Sequence, residues 1–412
     1  MNTSIRIARV AAVQGLQYVV PLLLLPLVAG WLGLLEFGRL FWFVSAFALV
    51  NAASGFGLEW SGTRKLAQAS ARTADWGSTV ASLLRLRLAV TLLGLVLLWV
   101  ALWVALGTAP SPGELVVMVL LSVDSLANAR YPNYAFFAAG QAPRAARVQL
   151  EGRLVLAAVV AGAALFGRFG VLTYPLGMAL GSCWVAVRSQ RWLRDQPGWQ
   201  GNASAPWSAV RERAREGLPF FGITLLSLGY TTANILVVEA VSTPPELGYF
   251  TASSKLVVAL NSIFIGAVGS VLFRDRLAAS GGDAVGAVHR SALIAVGVLG
   301  LVIGTGLFAG AEVIVRIYYG TEFAPASASL RWMAWIPLCV GLSNVVGVQG
   351  LAALHRERWL YLPVLLALGL SVWGNFMWTS SHGAVGAAAA WLMAEFALLA
   401  VSALLYRRFS QS

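Results

Sequence analysis

Apolar runs of about 20 residues recur along nearly the whole chain, and a run of that length is what a helix needs to cross roughly 30 Å of hydrocarbon. They fall at roughly 10–31, 39–60, 84–107, 115–138, 152–167, 170–190, 217–238, 247–273, 290–310, 327–352, 359–379 and 385–406. A water-soluble fold cannot accommodate them. Of the 412 residues 58% are apolar and only 11% charged, and the mean hydropathy is +0.76. A soluble globule of this size lacks the interior to hide so much apolar surface, so lipid is the expected solvent. The expected fold is all-α and integral to the membrane, with about twelve transmembrane helices and little chain left for a soluble domain.

The first run, Val10 to Gly30, follows Arg6 and Arg9, exceeds a signal-peptide core and has no small-x-small cleavage site before Glu36, so it reads as a retained helix. Cys183 and Cys339 sit in apolar runs far apart. His289, His355 and His382 fall in three different connections. Neither set suggests a disulfide framework, a metal site or a resident cofactor.

The net charge of +12 would suggest nucleic acid in a soluble chain, but its placement gives it another meaning. The termini and the even-numbered connections hold 23 of the 29 basic residues, including Arg64, Lys65, Arg85, Arg144, Arg153, Arg191, Arg213, Arg356 and Arg407. The odd-numbered connections hold Arg39, Arg168 and Arg316 alone. By the positive-inside rule both termini are expected in the cytoplasm, and most of these arginines are orientation signals, with no nucleic-acid partner implied.

Glu36-Phe37-Gly38-Arg39 after the first span is echoed by Glu246-Leu247-Gly248-Tyr249 after the seventh. Ala138-Ala139-Gly140-Gln141 parallels Ala352-Ala353-Leu354-His355, and Gly170 parallels Gly383. Six spans per half is an even number, so the halves enter the membrane in the same sense. The expected organisation is two parallel six-helix bundles around a central cavity: residues 1–193, a basic cytoplasmic linker 194–216, and residues 217–412. Such an arrangement suits alternating access and favours transport over catalysis.

Several short pieces, in order, carry a resemblance: Leu32-Gly33 with Glu36-Phe37-Gly38, Gly55-Phe56-Gly57, Thr63-Arg64-Lys65-Leu66-Ala67, Glu246-Leu247-Gly248-Tyr249 leading to Lys255, Leu330-Arg331-Trp332-Met333, and Asn344-Val345-Val346-Gly347-Val348-Gln349. Together they resemble the polysaccharide flippases related to O-antigen flippases, within the superfamily that includes multidrug and toxic compound exporters. The resemblance covers essentially the whole chain. It implies a non-enzymatic flippase of the cell inner membrane. Its passenger would be an undecaprenyl-diphosphate-linked oligosaccharide, an O-antigen or exopolysaccharide repeat unit, moved from the cytoplasmic to the periplasmic leaflet. Membrane lipids, a coupling H+ or Na+, and glycan polymerase and chain-length proteins are the partners such a protein would have.

An ionisable group at mid-bilayer costs roughly 2.5–3.5 kcal/mol on insertion scales, so each one needs a partner, a wet cavity or a ligand. Lys255 lies about nine residues into the eighth span, too deep to snorkel easily, and Thr251 and Ser262 share its face. It is either a cavity cation or half of a structural ion pair. Asp124 is similarly deep in the fourth span with Asn128 on its face, Arg130 lies on another face, and Pro132 is positioned to kink the helix between them. These two either line the cavity or satisfy neighbouring helices. Arg331 sits early in the tenth span, where substrate contact and snorkelling are both open. Asn234 belongs to a polar stripe with Ser227 and Thr231 that serves substrate or helix–helix contact equally. Lys255, Arg130, Arg331, Asp124 and Asn234 are therefore the candidate substrate contacts, and Asp124, Glu59 and Glu239 the candidate ion-coupling groups. Gln14, Gln17 and Tyr18 form a further polar stripe in the first span, and Glu395 is a carboxylate inside the last.

Two other classes compete. A multidrug exporter of the same superfamily would favour carboxylates and aromatics for cationic substrates. A glycan polymerase or ligase would need a substantial outer loop with a reactive constellation, and the odd connections are short.

Overall fold

The computed structural model describes residues 3–55, 57–68, 74–199, 205–278, 282–351, 354 and 356–410. Side chains of several helical stretches, including those of Gln14, Gln17, Tyr18, Glu59, Arg64, Arg274, Arg276 and His289, lie outside the described residues, as do Arg72 and His355 entirely.

Among the described residues all regular structure is helical, and seven stretches are long and apolar enough to cross a bilayer. Two of them are double. A left-handed Gly33 (φ 71°) divides Thr3–Gly55 into α1 (3–32) and α2 (34–55), which Leu58–Gln68 extends. Gly383 (φ 53°) separates α11 from α12 in the same way. The remaining helices are α3 (Ala74–Leu106), α4 (Pro112–Ala129), α5 (Ala142–Leu165), α6 (Thr173–Arg194), α7 (Trp207–Thr231, continued by Ala233–Val241), α8 (Pro244–Ala278), α9 (Gly282–Tyr319) and α10 (Ala326–Leu351). Then come α11 (361–382) and α12 (384–410), so the described chain forms twelve long helices of a multi-pass membrane protein.

Local chemistry sets the boundaries. Ser111-Pro112-Gly113-Glu114 starts α4 with a capping box. Glu114 N–H donates to Ser111 Oγ (3.3 Å), and Ser111 N–H donates to Glu114 Oε2 (2.9 Å). At Gly33 and Gly383 the backbone takes a conformation that side chains strain, and the helix beyond each has its first N–H groups exposed. A distant carboxylate meets each of them. Leu34 N–H donates to Glu322 Oε1 (3.2 Å), and Ala384 N–H to Glu246 Oε2 (2.7 Å). Glu246→Ala removes the second cap, at a cost of about 1 kcal/mol. Amide hydrogen exchange over residues 384–387 is expected to quicken about fivefold, and unchanged exchange would show that the carboxylate does not hold this helix end.

The chain forms two compact units, residues 43–228 and residues 1–42 with 229–412. In the first, Trp76, Trp192, Phe136 and Tyr134 make the aromatic core: Phe136 stacks on Trp192 at 3.8 Å, and Trp192 Nε1–H donates to Gln141 Oε1 (2.9 Å). Lys65 ties the extension of α2 to the start of α7 through Glu216 (2.8 Å). The outer face of α3 carries Leu93, Val96, Val100 and Val104, each at least 60% exposed, which is tolerable only against lipid.

In the second unit, Phe37 packs among Phe41, Tyr319 and Phe323 at centroid distances of 4.7–5.7 Å. Here the two echoed segments touch. A Cβ on Gly38 would lie 2.8 Å from Gly248 N, and one on Gly248 would lie 2.7 Å from Leu34 O.

Candidate functional site

Lys255 lies on α8, half-buried, with its Nζ 5.1 Å from the Phe41 ring of α2. The helix is pinned on other sides. Ser253 Oγ donates to Ala326 O (2.8 Å) and shares a hydrogen bond with Ser329 Oγ, and Tyr319 O–H donates to Ala252 O (3.0 Å). Thr251, expected on the same polar stripe, is fully buried, and Ser262 bonds back to Val258 O. The ammonium is thus presented by a fixed helix beside an aromatic face, which stabilises a cation by about 0.5–1 kcal/mol.

Arg331 is 45% exposed on the first turns of α10 and 3.9 Å from Glu312, which also holds Arg316 at 2.8 Å. Glu239 pairs with Arg39 at 2.7 Å, and the Arg39 guanidinium covers Trp42 at 4.7 Å. Partly exposed pairs of this kind contribute about 0–1 kcal/mol, so they restrain side chains more than they stabilise the fold.

Arg130 departs from its expected place inside a continuous helix. α4 ends at Ala129, Arg130 is its exposed C-cap, and helix resumes only at Asn133–Ala138. Pro132 has no N–H to donate and disfavours helix at the residue before it, so the break falls at Arg130–Tyr131 instead of as a gentle kink. Gln190 Nε2–H caps the freed Arg130 carbonyl (3.0 Å).

Asn234 is 1% exposed. Its Oδ1 accepts from Asn375 Nδ2 (2.6 Å) and Ser371 Oγ (2.9 Å), its Nδ2–H donates to Tyr230 O (2.7 Å), and Thr379 Oγ donates to Asn375 Oδ1 (3.0 Å). This chain of bonds closes on a π-helical turn, Asn375–Thr379. Periodicity alone could not reveal it, because the partners lie on α11. Glu395 is 2% exposed, with Oε1 accepting from Trp391 Nε1–H (3.2 Å).

Asp124 is 4% exposed on α4, where Ser182 Oγ donates to Oδ1 (2.5 Å) and Asn51 Nδ2–H to Oδ2 (3.3 Å). It borders a cavity of about 300 Å3 within residues 43–228, whose wall includes Asn128, Gln149 and Arg153. Gln149 and Arg153 were not singled out by sequence. Their i, i+4 spacing on α5 was the available signal, obscured because Arg153 reads as one more orientation charge. Among the described residues no group of three His, Cys, Asp or Glu side chains is placed to hold a metal ion.

Comparison with known proteins adds the context. The family described as "Polysaccharide biosynthesis protein" matches residues 7–273. A curated relative, "Putative O-antigen transporter" of Escherichia coli (strain K12), is 25% identical over 206 residues, and the match spans about half of each chain (48% of both). Among solved structures, "Lipid II flippase MurJ, inward closed conformation" superposes with a TM-score of 0.75 at 12% identity, over 98% of this chain and 87% of that one. An inward-facing multidrug resistance MATE family transporter of the MOP superfamily gives 0.69 at 16% identity, over 98% and 94%. At these identities the structural likeness concerns the fold alone. The match over residues 7–273, well over half of the chain, shows the family: the chain belongs to the polysaccharide biosynthesis protein family.

Proposed function

We propose that this protein is a flippase of the cell inner membrane, with both termini cytoplasmic, that carries a polyprenyl-diphosphate-linked oligosaccharide from the cytoplasmic to the periplasmic leaflet. The observation that carries the reading is Lys255, whose ammonium lies half-buried 5.1 Å from the Phe41 ring on a helix that the sequence places across the bilayer. A diphosphate cannot enter hydrocarbon bare, and a fixed ammonium in a wet site offsets part of its desolvation. Arg331 and Arg130, both exposed, are the further cations that would meet the headgroup at other stages of the passage. The relative's printed name, an O-antigen transporter, agrees with this cargo.

The halves of the internal repeat would rock to expose Lys255 alternately to each side, with an ion gradient as the energy source. Asp124, by taking up a proton, and Glu239 remain the candidates for coupling, and Glu59 lies outside the described side chains. The fold likeness to a drug transporter supports a second reading, export of toxic cations. A cationic passenger is repelled by Lys255, which favours the lipid-linked sugar.

The test is a proteoliposome assay with a fluorescent polyprenyl-diphosphate oligosaccharide in one leaflet. The protein should move the sugar to the other leaflet in a gradient-dependent, directional way. Export of ethidium with no movement of the sugar lipid would replace this reading by the second.

A further inference from the structure

The cavity beside Asp124 has a composition that the transport of a diphosphate does not explain. Four helices each present one face to it: Asn51 on α2, Asp124 and Asn128 on α4, Gln149 and Arg153 on α5, and Ser182 on α6. Gly152 and Gly181 make the enclosure possible. A Cβ on Gly181 would lie 2.5 Å from Gly152 O, so α5 and α6 touch through backbone and bring their polar faces to one space.

The electrostatics exclude the simplest ligands. A cation would meet the Arg153 guanidinium on the wall, and Asp124 is already engaged by donors from Ser182 and Asn51. A phosphate would meet the Asp124 carboxylate. What remains unmet is mixed. Asn51 Oδ1 is sealed from solvent without a hydrogen-bond partner, and Arg153, attracted by Asp124 across the cavity, keeps its guanidinium donors outside any ion pair of 4 Å or less among the described residues. Asn128 and Gln149 each offer both a donor and an acceptor, and Leu156 and Met178 supply an apolar patch.

A ligand that donates and accepts in several directions, carries little net charge and has one apolar face matches this wall. We propose that the cavity is a subsite for a single hydroxyl-bearing sugar ring, with Asn128, Gln149 and Arg153 bonding its hydroxyls and Asn51 Oδ1 accepting one of them. A volume of about 300 Å3 admits one such ring and not an oligosaccharide. The inference rests on the flippase reading for its biological meaning, since the sugar would be one residue of the lipid-linked passenger, but binding of the free sugar does not require translocation.

The experiment uses the full chain in lipid nanodiscs. The probes are the oligosaccharide released from the surface glycan of the source cells and each of its constituent monosaccharides, with titration followed calorimetrically. At least one monosaccharide should bind saturably, and Asn128→Leu and Gln149→Leu should each weaken it tenfold or more. Arg153→Gln, which keeps donors but loses the charge, should weaken a neutral sugar less than fivefold. Exchanging Na+ for K+ should leave binding unchanged. No saturable binding by any probe, or binding indifferent to both leucine variants, overturns the subsite. So does Na+-dependent thermal stabilisation lost in Asp124→Asn, which would make it a cation site. Sugar binding by a protein that fails the proteoliposome assay would instead sink the flippase reading alone.

Discussion

Gly38→Leu is expected to leave little folded protein in the membrane and no measurable surface glycan. Small-to-large changes in a packed interior usually cost about 1–3 kcal/mol because neighbouring side chains can shift. At Gly38 the obstacle is backbone: the first added carbon lies 2.8 Å from Gly248 N and 2.9 Å from Gly248 Cα. Nothing there can rotate away, so α2 and α8 must separate and the Phe37, Tyr319 and Phe323 contacts with them. Gly248→Leu should behave alike, since its added carbon meets Leu34 O at 2.7 Å. Gly30→Leu is the control, because a Cβ there meets nothing within 4 Å. Quantitative blotting of membrane fractions separates the three, and normal abundance of Gly38→Leu would show that the α2·α8 crossing is not tightly closed.

Lys255→Ala is expected to lower translocation by roughly 30–150-fold while abundance stays within a factor of two. Losing a charge-assisted hydrogen bond to phosphate removes about 2–3 kcal/mol. The stability term is smaller. The residue is half-buried, and its contact with Phe41 contributes about 0.5–1 kcal/mol. Lys255→Arg, which keeps the charge, should retain a substantial part of the rate. Surface glycan measured by lectin binding, normalised to membrane abundance, is the readout, and full activity of the alanine variant would remove Lys255 from the mechanism.

Much of this was legible in the sequence because hydrophobicity and depth are local properties. The twelve apolar runs and the position of Asp124 and Lys255 inside two of them follow from counting along the chain. The echo of Gly38 at Gly248 was visible too, although its contact was not, since two segments 210 residues apart say nothing of touching. The break between α1 and α2 falls inside the expected connection 32–38 but is shorter than it: Gly33 alone leaves the helical conformation and helix resumes at Leu34, held by Glu322 from a segment 288 residues away. Arg130 shows the limit of run-counting, because an apolar stretch continues through a broken helix.

Partners were the hidden part. A stripe with Asn234 on one face reads alike whether it meets substrate or another helix, and only the arrival of Ser371 and Asn375 decides that it is sealed. Asp124 likewise gained Asn51 and Ser182 from 73 and 58 residues away. Arg153 was hidden for a different reason: the positive-inside rule absorbs arginines near helix ends, yet α5 begins at Ala142 and carries Arg153 to a cavity wall.

The most direct measurement compares two polyprenyl lipids bearing the same sugar, one through a diphosphate and one through a phosphate-free glycosidic link, in proteoliposomes of the native protein and of Lys255→Gln. If the fixed ammonium offsets phosphate desolvation, the variant slows the diphosphate lipid at least tenfold and leaves the phosphate-free lipid within twofold of the native rate. Equal slowing of both lipids, or an undiminished rate for the diphosphate lipid, would contradict it.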